Sequence, residues 1–225
     1  MKQLMKMAWF SFDRSAAAGG RAAALSCLLA ASALLAGCAG MSGAPDSMDK
    51  ATPLTTRSYQ EKLDLNGRLS VQYEQNNQPQ ALHGSFIWAQ SAQQTSLELL
   101  SPLGQTMATI DVKPGMATLM QSGQAPRMAA DVDTLTAETL GWPLPVSGLR
   151  HWLQGFGTDA VGKPFQAVPG EAGSSFTTRD GWRLTYSNWE AIDGQSRPKR
   201  IDLARDTAQA GPVSIRIVID SWKTP

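Results

Sequence analysis

The chain has 225 residues, 42% of them hydrophobic, with 20 Lys and Arg against 19 Asp and Glu, a formal charge of +1. A balance this close, with no basic run, argues against nucleic-acid binding, which draws its affinity from clustered cations. Two cysteines and two histidines leave little material for a metal centre or a disulfide framework.

The first element in chain order is a secretory signal. Ala22 to Ala36 is an apolar stretch of h-region length, too short to span a bilayer comfortably. Lys2, Lys6, Arg14 and Arg21 precede or open it, with only Asp13 against them. It closes on Leu35-Ala36-Gly37-Cys38, which reads as a bacterial lipobox. Cleavage before Cys38 makes residues 1–37 a signal peptide, and Cys38 then carries a diacylglyceryl group on sulfur and an acyl chain on nitrogen. The mature chain is anchored to a membrane and does not span it. Ala39 follows the cysteine where an aspartate would favour retention in the inner membrane. The expected location is therefore the cell outer membrane, on the leaflet facing the periplasm. Cys27 is lost with the signal, so no thiol remains for a disulfide.

Residues 38–58 are rich in Ala, Gly, Ser, Pro and Thr and read as a flexible lipidated tether with a reach of roughly 25 Å. Residues 59–225 form the folded domain. The mature chain of 188 residues suits one domain, and its 16 basic and 18 acidic residues leave it slightly negative.

Beyond the tether the pattern has period two. From Leu63 to Tyr73 apolar residues hold the odd positions, apart from Gly67, and polar residues the even ones, as in a half-buried strand. Leu82, Phe86 and Trp88 continue after a polar segment, Glu74 to Gln80, so the pair is predicted as a hairpin with a rather long loop. Further strands are expected at Ser96–Leu100, Met107–Val112 and Ala117–Gln121, punctuated by Lys113-Pro114-Gly115 and Ser122-Gly123. Near the C-terminus come 182–186, 200–204 and 213–220. In between, Asp131 and Asp133 suit the N-cap of a short helix that Gly141 ends. Ser147 suits the cap of a second, with Leu149, Trp152 and Leu153 on one stripe and Gly155 near its end. Two short helices between antiparallel strands suggest a curved sheet with helices on its concave side.

The chain carries no HExxH, GxSxG, P-loop or cysteine-pair motif, so an enzyme reading has no positive support. His83 is expected on the polar face of its strand and His151 beside the apolar stripe of the second helix, rather than on a metal. Six tryptophans fall in the domain, at 88, 142, 152, 182, 189 and 222. They suit an ordinary core, and equally the mouth of an apolar cavity.

Ser101-Pro102-Leu103-Gly104-Gln105-Thr106, the Pro114-Gly115 turn, Gly141-Trp142-Pro143-Leu144-Pro145-Val146 and Leu149-Arg150-His151-Trp152-Leu153-Gln154-Gly155 resemble the LolB family, in order and over about residues 59–222. The resemblance implies a mainly β fold: an unclosed antiparallel β-barrel with short covering helices around an apolar cavity, LolA/LolB-like. It implies a receptor that accepts acylated lipoproteins from a LolA-like periplasmic carrier and inserts them into outer-membrane lipid, with no cofactor. A lipid- or lipoprotein-sensing regulator and a structural assembly factor without a cavity are the alternatives. A monomer is expected.

The expected lining of the acyl-chain cavity is Leu69, Val71, Phe86, Trp88, Leu97, Leu99, Ile110, Val112, Leu184, Tyr186, Ile215 and Ile217 from the strands. Trp152 and Leu153 come from the covering helix. Core packing is the alternative role for each. Family members carry an exposed apolar residue, typically leucine, which the resemblance places on the loop of the first long hairpin. Residues 74–79 contain none. Tyr73 is then the candidate membrane-insertion residue, or else the last inward residue of its strand.

Overall fold

The period-two segments form one antiparallel sheet. The computed structural model describes residues 57–170 and 174–223; the signal, Cys38 and the tether up to residue 56 lie outside the described residues. The strands are β1 (Leu63–Gln75), β2 (Gln78–Gln90), β3 (Thr95–Leu100), β4 (Thr106–Lys113), β5 (Met116–Gln121) and β6 (Arg127–Ala129). Two helices follow, α1 (Val132–Leu140) and α2 (Val146–Trp152). Then come β7 (Phe156–Thr158), β8 (Pro164–Gln166), β9 (Ser174–Thr177), β10 (Arg183–Ile192), β11 (Gln195–Thr207) and β12 (Gly211–Lys223). Ten strands pair in the order β6-β5-β4-β3-β2-β1-β12-β11-β10-β9, and β7 pairs with β8 separately. The two ends of the sheet, β6 and β9, do not pair with each other. The sheet curls like a barrel and stays open.

Register turns sequence alternation into layers, because alternate residues of a strand share a face. Leu65, Trp88, Leu97, Ile110 and Leu119 stand side by side across five strands. Leu203, Ile215 and Val71 form another row, and Ile201, Ile217 and Leu69 a third. All eleven are buried on the concave side. Gly67 interrupts the first strand's inward series for a steric reason. A Cβ there would lie 2.2 Å from Val218 O and 2.7 Å from the Phe86 ring. A register shift between Asn66 and Gly67 marks the same point, and such bulges tighten the local twist.

The first hairpin corrects the long-loop expectation. Strand pairing runs through Gln75 and Gln78, leaving Asn76 and Asn77 as a two-residue turn with φ of 54° and 59°. Two consecutive left-handed residues are what a type I′ turn demands, and asparagine tolerates them. The polar segment 74–80 is mostly strand. Tyr73 therefore pairs with Gln80 inside the ladder and packs its ring against Trp142, with centroids 6.2 Å apart. It is an inward residue and not a loop-tip residue.

The helices cover the concave face. Asp131 caps α1, accepting from Thr134 N at 2.7 Å, and Gly141 ends it with φ 81°. Ser147 does not cap α2; it lies within the helix, whose N-cap is Pro145. The cap comes from the neighbouring helix: Ser147 N donates to Asp133 Oδ1 (3.0 Å), and the Ser147 hydroxyl bonds Oδ2 of the same carboxylate. Val132, Leu135, Val146, Leu149 and Trp152 point these helices into the core shared with the sheet.

The folded unit starts earlier than the predicted tether boundary. Arg57 is buried, donating to the carbonyls of Gln154 (3.0 Å), Ser196 (2.8 Å) and Ala167 (2.6 Å), and its guanidinium faces the rings of Phe156 and Trp189. Residues 57 and 58 thus belong to the domain.

Candidate functional site

Thirteen of the fourteen expected cavity residues are buried, and Val112 is half-buried against the same core. Within that core the structure leaves a small apolar void of about 20 Å³. Leu69, Phe86, Trp88, Leu97, Leu99, Ile215 and Ile217 face it from the sheet, and Leu144, Leu149 and Leu153 from the helical cover. No polar side chain lines it. Val71, Ile110, Val112, Trp152, Leu184 and Tyr186 pack around it without reaching it. Leu144 is an addition that periodicity did not mark, since it stands alone between Pro143 and Pro145. Thr136 fixes it: the threonine hydroxyl lies 2.9 Å from Leu144 O and accepts from Leu144 N at 3.3 Å.

The void holds one water-sized group at most. A larger apolar guest would fit only if the cover moved, so the contacts that seat the cover belong to the candidate site. Arg150 on α2 reaches Thr95 Oγ1 at 2.9 Å and also donates to Ser91 O, tying the helix to the β2–β3 turn. Gln154 and Gln60 exchange two hydrogen bonds, of 2.8 and 3.0 Å. Gln90 donates to Gln60 O (3.0 Å) and accepts from the Trp88 indole (3.0 Å). Tyr186 donates its hydroxyl to Trp152 O at 3.0 Å. Burial pushes the Tyr186 phenol far up, so it stays a neutral donor.

The charged groups near the cover are shifted mainly by burial. Arg57 is lowered by desolvation, with a smaller push from Arg197. His151 stacks on Tyr59 with centroids 5.1 Å apart, and burial, then Arg150, lowers its pKa; it is neutral at pH 7. Burial raises Asp133 despite the opposing hydrogen bonds from Ser147. His83 is exposed on the outer face, and among the described residues no group of three His, Cys, Asp or Glu is gathered as a metal site.

One residue missed in the sequence lies outside the core. Leu103, in the β3–β4 loop, is 87% exposed. Ser101 N and Ser101 O close that loop onto Gln105 and Gly104 with two 2.8 Å hydrogen bonds, so the leucine is held out on a tight turn. The signal was a large apolar residue inside Pro-Leu-Gly, where no strand face exists to bury it.

The family described as "Outer membrane lipoprotein LolB" matches residues 61–222. The outer-membrane lipoprotein LolB of Cupriavidus necator is 42% identical over 160 residues, 71% of this chain and 79% of its own. That of Cupriavidus pinatubonensis is 37% identical over 91% of this chain and 97% of its own, and that of Ralstonia nicotianae 38% identical over 84% and 92%. The chain, a largely antiparallel open sheet closed by two short helices over an apolar interior, belongs to the LolB family of outer-membrane lipoproteins.

Proposed function

We propose that this protein is an outer-membrane receptor for lipoproteins. It takes the acyl chains of a lipoprotein from a periplasmic carrier into its concave interior and passes them to the membrane. The observation that carries this reading is the wholly apolar void beneath a helical cover, on a sheet whose ends are not joined. Each methylene of a lipid anchor costs about 0.8 kcal/mol to expose to water, so a triacylated protein needs such shelter in transit. The task requires differential affinity along the route, and no catalytic group takes part. Cys38, once acylated, keeps the receptor beside its target.

Binding opens the cover. Leu144, Leu149 and Leu153 withdraw from Leu69, Phe86 and Ile217, and alkyl chains replace them as neighbours. Leu103 completes the delivery. A leucine held out on a tight turn enters the acyl region of a bilayer at little entropic cost. This assigns to the β3–β4 loop the part that the resemblance placed on the first hairpin.

Depletion of the protein in its host tests the reading. Lipoproteins are expected to accumulate in the periplasm bound to their carrier. The purified chain is also expected to bind a fluorescent fatty acid in competition with a carrier-delivered lipoprotein. Normal lipoprotein localisation after depletion, or no probe binding, overturns the proposal.

A further inference from the structure

The outer face of the sheet carries a second concave feature, on the side opposite the helical cover. Two cross-strand rows border it: Val218, Arg68 and Ser85, and next to them Arg216, Ser70 and His83. The middle is low because Ser70, Gly84 and Ser85 are small, and the long cations stand at the margin. The result is a depression of about 500 Å³ that Pro102 closes on the side of the β3–β4 loop. The exposed Leu103 is the next residue along.

No carboxylate lines this depression. The acids that balance its arginines stand outside it. Arg68 binds Asp220 through Nε and Nη2, both at 2.9 Å. Arg216 donates only from Nε to Asp202 (2.7 Å). That carboxylate is shared with Arg200 at 2.8 Å, so beside the depression three guanidiniums share two carboxylates, Asp220 and Asp202. Among the described residues the terminal nitrogens of Arg216 meet no acceptor, and Ser70, His83 and Ser85 bring further polar groups to the floor and rim. Guanidinium forks with hydroxyls beside them match the tetrahedral oxygens of a phosphate.

We infer that this groove seats the phosphate headgroup of an anionic bilayer lipid, in register with insertion of Leu103 into the acyl layer. The charge pattern names the occupant and the adjoining leucine names its setting. A phosphate and an alkyl layer presented together, side by side, are found at a lipid surface. The inference rests on the membrane role given to Leu103 above and adds to it a preference for headgroup charge. In functional terms, the groove aligns the receptor on its target bilayer before the cover opens.

The test uses the mature acylated protein in vesicles, with a nitroxide on Gln105→Cys, exposed in the same turn as Leu103, reporting depth by power saturation. Vesicles of phosphatidylcholine alone are compared with vesicles that also contain phosphatidylglycerol. Phosphatidylglycerol is expected to raise the inserted population, and added salt to remove the gain. Arg68→Gln with Arg216→Gln is expected to lower insertion into the anionic vesicles about tenfold, whereas Arg68→Lys with Arg216→Lys retains most of it. Insertion that is equal in both vesicles, or indifferent to the glutamine pair, overturns the headgroup groove and leaves the role of Leu103 standing. Absence of insertion in every vesicle overturns the role of Leu103 and the inference with it. Loss with the lysine pair equal to that with the glutamine pair also overturns the inference, because charge is then not what the groove supplies.

Discussion

At the scale of single residues, Arg57 is the most consequential position that sequence pattern could not reveal. Its three acceptors lie 97, 110 and 139 residues away. Neither spacing nor composition around residue 57 distinguishes it from the polar tether before it. Burial without a carboxylate partner is tolerated because carbonyl oxygens and two aromatic faces take the place of water. Arg57→Met leaves those carbonyls unmet and is expected to lower unfolding free energy by about 3 kcal/mol in a urea titration. Asp133 gives a prediction with a pH sign. Burial raises its carboxyl above the ordinary value of about 4. The folded state then binds the proton more tightly than the unfolded chain. Stability falls as pH rises from the ordinary value through the raised one, and is level above it. Asp133→Asn keeps an acceptor for Ser147 N and is expected to flatten this dependence in melts across the acid range. Asp133→Ala removes the cap as well and is expected to be about 1 kcal/mol less stable than Asp133→Asn at pH 7.

At the scale of elements, strand identity and the residues sharing one face were legible wherever the alternation ran for five or more residues, but not which face turns inward. The odd-numbered face of β1 and the even-numbered face of β2 follow from Leu69, Val71, Phe86 and Trp88 directly. The failures have local causes. β6, β7, β8 and β9 have three or four residues, too few for a period to register. The N-terminal part of β11 holds Ser196, Arg197 and Pro198, buried residues of types that normally mark a surface loop. The β1–β2 turn was misjudged because Asn76-Asn77 lacks the glycine that usually announces a type I′ turn. Asn77→Gly is expected to stabilise the protein by about 0.5 kcal/mol, read as a small upward shift of the melting temperature without a change in acyl-probe binding. Asn77→Val, with a branched side chain in the left-handed region, is expected to destabilise it.

At the scale of the whole molecule, holding a cargo and releasing it are assigned to different parts. In the proposed function the interior between sheet and helices shelters the alkyl chains, and the Leu103 turn meets the bilayer. Leu103→Glu is therefore expected to leave binding of a fluorescent fatty acid intact. It also removes the leucine surface, worth roughly 2 kcal/mol, and so slows lipoprotein delivery into vesicles about thirtyfold or more. A parallel loss of probe binding would contradict that division. The architecture itself was legible, since long alternating strands around a central helical pair admit few other arrangements. What sequence could not show is that the space beneath the helices is occupied by their own side chains.

The unpaired borders of the sheet give that filled interior its meaning. In a sealed cylinder the girth is fixed by strand number and stagger, and widening it means tearing backbone ladders apart. Here β6 and β9 are not bonded to each other, so the wall can uncoil a little like a loosened cuff while every rung between neighbouring strands stays intact. On the proposed role, capacity then varies with the guest, and an interior filled by its own side chains admits alkyl tails of differing number and length.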